Sequence, residues 1–148
     1  MTGLPQQDAA ALAEAVAAEH AAVFAYGVVQ AYVRHPATTR LAEEIVTEHR
    51  AHRDGAAELL ARSGAKTPAA APAYTVPITV TDGPSAARLA EHVEQETAQA
   101  WRALVERATL PEVRGHGVRA LGDCAVRAAQ WRENLDQNPL AAPFPGEG

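Results

Sequence analysis

The chain has 148 residues, a net charge of −5, 47% hydrophobic residues and only 5% aromatic ones. That size accommodates one domain with its own core, and the alanine-rich composition favours closely packed helices over sheet. A single lysine and no basic stripe argue against a nucleic-acid partner, and the lone Cys124 excludes an internal disulfide and a zinc knuckle.

The opening stretch MTGLPQQDAA lacks the charged and apolar regions of a signal peptide. The longest apolar run, Ala21 to Val29, is too short to span a bilayer. A soluble cytoplasmic protein is expected, since an unpaired cysteine suits a reducing compartment.

A first helix is predicted over about residues 5–34, opened by Pro5 and Asp8 and stopped at His35-Pro36. Its seam runs Leu12, Val16, Glu19, Val23, Tyr26, Gln30 and Val33, in steps of four and three. Glu19 lies mid-seam, and a carboxylate buried alone costs several kcal/mol, so it requires a positive neighbour. A second stripe of Ala17, Phe24, Val28 and Ala31, with His20 among them, predicts a homodimer contact.

The second helix is predicted over about 38–63, capped by Thr38 or Thr39 and ended at Ser63-Gly64. Its seam is read as Leu41, Ile45, Glu48, His52, Gly55 or Ala56, and Leu59. Residues 64–82 hold Pro68, Pro72 and Pro77 together with Tyr74, Val76, Ile78 and Val80. Proline spoils helix, and the apolar residues imply a crossover laid along the bundle.

Asp82 and Pro84 open a third helix, about 83–108, with the seam Ala86, Leu89, Val93, Glu96, Ala100 and Ala103. A tight turn at Thr109-Leu110-Pro111 leads to a fourth helix, about 111–137. Its apolar face is Val113, Gly117, Leu121, Cys124, Ala128, Trp131 and Leu135. The tail, 138–148, is proline-rich and irregular. The whole is expected to be a single domain over 1–148. Two long-helix hairpins joined by one long crossover give an all-α fold with the connectivity of ferritin-like four-helix bundles.

With the helices packed antiparallel, Glu19, Glu48, His52, Glu96, Asp123 and Arg127 fall near one level. Carboxylates and imidazole converging in a bundle are the chemistry of di-iron and di-manganese sites. The chain resembles the ferritin-like superfamily, and more closely a family of small ferritin-like proteins of unknown function from high-GC bacteria. The resemblance is carried by Glu19 to Gly27, Glu48 to Asp54, Ala73-Tyr74 through Asp82, and Arg127 to Arg132. It implies the fold, and it assigns no activity.

The family pattern of metal ligands is incomplete here. A Glu-x-x-His pair would place histidine where Ala51 and Val126 stand. A full two-metal centre is therefore not expected. Two readings follow. In the first, the protein is non-catalytic, and Arg127, with His52, replaces metal charge in a closed polar network that also holds Asp123 and Tyr26. In the second, iron or manganese is held by Glu19, Glu48, His52 and Glu96, for oxidoreductase chemistry or metal storage. A small-molecule carrier with a roomy apolar cavity is a third. His20, His49 and His92 read as half-exposed polar residues, Cys124 as a small core residue, and Trp101 and Trp131 as packing residues.

Overall fold

The computed structural model describes residues 3–148. Residues 1 and 2, the start of the stretch screened for a leader, lie outside the described residues. Four helices follow in order: α1 Gln6–Tyr32, α2 Pro36–Arg62, α3 Gly83–Arg107 and α4 Pro111–Asn134.

Each boundary has a local cause. α1 ends at Tyr32, where Val33 turns extended at ψ 137°, and His35 caps α2: its Nδ1 accepts from the Ala37 amide at 3.2 Å, with Pro36 at the first helical position. α2 thus begins at Pro36, ahead of the expected threonine cap. Gly64, at φ +77°, closes α2, and the Ala65 amide reaches back to the Leu60 carbonyl. Asp82 and Ser85 form a reciprocal capping box on α3: the Ser85 amide donates to Asp82 at 2.8 Å, and Ser85 Oγ accepts from the Asp82 amide at 3.0 Å. α4 ends three residues before the expected Gln137, because Asp136 turns left-handed at φ 54°.

The helices form a ring in which α1 packs on α2 and α3, and α4 packs on α3 and more loosely on α2. Every neighbouring pair is antiparallel. The start of α1 meets the end of α3, where buried Asp8 accepts from the amides of Thr109 and Leu110 and from the Thr109 hydroxyl. This one carboxylate ties the first helix to the α3–α4 turn. Its hydrogen bonds hold its pKa below the ordinary value despite the opposing effect of burial. The crossover lies along the bundle, with Val76, Ile78 and Val80 on the core and the Tyr74 ring 5.5 Å from that of Phe24.

α1 is long and apolar enough to cross a membrane by length and composition, longer than the run of residues 21–29 suggested. Here Leu12, Val16, Tyr26 and Val29 are buried inside the bundle, and Asp8 and Glu19 are buried with them. The core has two halves, one around Leu12, Leu60, Leu104 and Val113 and the other around Val29, Ile45, Leu89 and Trp131.

Candidate functional site

Between the two apolar halves lies a layer of polar side chains contributed by all four helices. Glu19 from α1, His49 from α2 and Glu94 from α3 are each 2% exposed or less. The His49 ring stands between the carboxylates, with Nδ1 2.6 Å from Glu19 Oε2 and Nε2 2.8 Å from Glu94 Oε2. Trp101 Nε1 donates to Glu19 Oε1 at 2.7 Å, and Tyr26 Oη donates to Glu94 Oε2 at 2.6 Å. Trp131 Nε1, from α4, donates to Tyr26 Oη at 2.9 Å. One hydrogen-bonded chain thus runs from α4 through α1, α3 and α2 back to α1 and α3.

The electrostatics follow from this placement. Burial alone would lower the His49 pKa, but the charges of Glu94 and Glu19 and their hydrogen bonds outweigh it and raise it to about 10. His49 is therefore an imidazolium at neutral pH, and both ring nitrogens donate. Burial, then the Glu94 charge, pushes the Tyr26 hydroxyl well above its usual range, so it remains a neutral donor. Burial likewise raises the Cys124 thiol, which keeps it protonated.

Of the residues expected to meet, Glu19 and Tyr26 lie in this layer. Glu48, His52, Asp123 and Arg127 lie together along the looser α2–α4 edge. Arg127 grips Glu48 with two donors, Nε at 2.8 Å and Nη2 at 2.6 Å. The Arg127 hydrogen bond lowers the Glu48 pKa against the effect of burial. His52 Nε2 lies 3.0 Å from Asp123 Oδ2. Glu96 faces outward, 64% exposed, and pairs with His92 on its own helix at 3.0 Å. The expected single level of Glu19, Glu48, His52 and Glu96 is thus corrected.

The physical reason is helix register. On α3 the bulky Trp101 and Leu104 fix the inward stripe, and stepping back by four and three gives Thr97, Glu94, Ala90 and Ala87, all buried. On α2 the stripe through Leu60 and Ala56 passes His49 one heptad earlier, not Glu48. His49, taken as half-exposed, is instead the centre of the molecule. The signal was present in Trp101, whose size demands the interior and whose indole N–H then demands an acceptor.

The donor set does not fit a two-metal centre. Both His49 nitrogens are committed as donors to carboxylates, and a ligating imidazole needs a free lone pair. Glu48 is held by Arg127, and Glu96 points away. Among the described residues, no group of three or more His, Cys, Asp or Glu side chains is arranged to hold a metal ion.

The architecture is that of a ferritin-like four-helix bundle. It is similar to a crystal structure of ferritin-like, diiron-carboxylate proteins from Bacillus anthracis str. Ames, at TM-score 0.77 and 19% identity, covering 89% of this chain and 99% of that one. It is also similar to a crystal structure of a conserved hypothetical protein, rv2844, from Mycobacterium tuberculosis, at TM-score 0.85 and 38% identity, covering 94% and 97%. Residues 11–148 match the family described as "Domain of unknown function (DUF4439)", and the chain belongs to that family. No functionally curated protein matches its sequence.

Proposed function

We propose that this protein is a non-catalytic ferritin-like bundle in which an imidazolium stands in for metal charge. The observation that carries this reading is the His49 ring, bonded through both nitrogens to carboxylates of two other helices. Metals hold such bundles together by neutralising converging carboxylates, and a buried imidazolium does the same without redox chemistry or an open coordination position. The protein then acts as a structural or binding subunit. Element analysis of protein purified without chelators tests this, with far less than one equivalent of iron or manganese per chain expected. A stoichiometric metal that is lost in both Glu19→Ala and His49→Ala overturns it.

We place the protein in the cytoplasm, where a reduced cysteine such as buried Cys124 is stable. We also propose that it forms a homodimer through the outer face of α1, where Phe24 is 37% exposed alongside exposed Ala17 and Ala31. The mass in solution of Phe24→Asp tests the dimer: it should fall to that of one chain, and an unchanged mass refutes that interface.

A further inference from the structure

At the end of the bundle opposite Asp8, α1 turns into α2, α3 begins and α4 stops. A cavity of about 420 Å³ opens there, with Val33, Pro84 and Leu135 among its apolar walls and Arg34, His35 and Arg88 among its polar ones. That volume lies in the range of small-molecule sites, roughly 300–1,000 Å³.

The charge at this end departs from that of the rest of the molecule. The chain carries a net charge of −5. Arg53, Arg62, Arg102, Arg107, Arg127 and Arg132 each pair with a carboxylate. Among the described residues, Arg34 and Arg88 pair with none, and both line this one cavity. A single carboxylate, Asp136, stands in the lining against the two guanidinium groups. The Asp82 carboxylate, whose charge Arg88 also feels, is bonded to the Ser85 amide and hydroxyl.

Three of the donors are set in place by the fold itself. Arg34 Nη1 donates to the Ala31 and Val33 carbonyls, at 2.6 and 3.2 Å. The guanidinium thus caps the end of α1, and its plane is held while its other N–H groups remain to bind an anion. His35 Nδ1 accepts from the Ala37 amide, which leaves the ring hydrogen on Nε2 as a donor. Thr38 Oγ1 accepts from Asn134 Nδ2 at 3.3 Å, so the Thr38 hydroxyl hydrogen is left to donate. A phosphate monoester has three terminal oxygens and a charge near −2, and it engages more such donors than a carboxylate does. The cavity is larger than a phosphate group, and its apolar walls give an organic substituent somewhere to lie. We propose that this cavity binds a small soluble phosphate monoester, its phosphate held by Arg34, His35 and Arg88 and its organic part against Val33 and Leu135. The inference does not rest on the reading of the buried layer, which lies in the middle of the bundle.

Phenyl phosphate, titrated by calorimetry into the full chain at neutral pH and low ionic strength, tests this. One molecule is expected per chain, with affinity falling as salt is added. Inorganic phosphate, without the apolar part, and benzoate, with one charge and two oxygens, should each be about tenfold weaker. Arg88→Gln should weaken phenyl phosphate by about tenfold to a hundredfold, the range for a lost hydrogen bond to a charged group. Its guanidinium bonds to no other described residue, so this variant should fold as the wild type does. Arg50→Gln removes an exposed charge from α2 outside the cavity, and it should leave binding unchanged. Phosphatidylcholine vesicles carrying phosphatidate present the same group on a surface, and they should not retain the protein. The proposal is overturned by no binding of phenyl phosphate, by benzoate binding equally well, by undiminished binding to Arg88→Gln, by an equal loss in Arg50→Gln, or by retention on the phosphatidate vesicles.

Discussion

Replacing His49 by glutamine removes the one cation of the buried layer and strands two carboxylates within it. Folding raises the His49 pKa from 6.5 to about 10. At about 1.4 kcal/mol per pH unit, that is about 5 kcal/mol of stability, fully present below the unfolded-state value. Breaking a buried ion pair from one side typically costs about 3–5 kcal/mol, so the two routes agree. For a chain of this length His49→Gln should lower Tm by roughly 6–20 °C. The sign with pH is set by the raised value: the stabilisation declines as pH rises above 6.5 and is gone above about 10. Urea denaturation of the wild type should therefore show a loss of about 3 kcal/mol between about pH 7 and about pH 9, and His49→Gln should lack that slope. Adding Glu94→Gln to His49→Gln should restore part of the loss, since one stranded charge is gone. A wild type whose stability is flat over this interval, or a His49→Gln protein within about 1 kcal/mol of it, refutes the assignment of His49 as the buried cation.

Arg127→Ala should cost much less, about 1 kcal/mol, because its pairing with Glu48 lies on a half-exposed edge; chemical denaturation with a loss comparable to His49→Gln would contradict the division into core and edge. Asp8→Ala should destabilise by about 1–3 kcal/mol by orphaning the Thr109 and Leu110 amides, with amide exchange rising first at the α3–α4 turn. Because the Asp8 carboxyl is held below its usual value, its contribution is present above pH 3.8 and is lost on further acidification, so the Asp8→Ala and wild-type stability curves should converge there. Cys124, buried and with its thiol raised, should not react with a disulfide reagent until the chain is unfolded; prompt labelling of native protein would show that α4 opens at its centre.

Sequence alone carried the architecture. Helix lengths, the stops at His35-Pro36 and Ser63-Gly64, the cap at Asp82 and the proline-rich crossover are local signals, written in backbone chemistry that acts over a few residues. They determine four long helices in two hairpins, and the steps of four and three on α1 place Glu19 inside. Which partners Glu19 meets is not local. A helix with alanine on most faces can rotate by one position with little change in its apolar pattern, and a rotation of that size exchanges Glu48 for His49 on α2, and Val93 and Glu96 for Glu94 and Thr97 on α3. Only the packed bundle decides it, because there the indoles of Trp101 and Trp131 must be both buried and hydrogen-bonded, and a single rotation of α3 and α4 satisfies both demands.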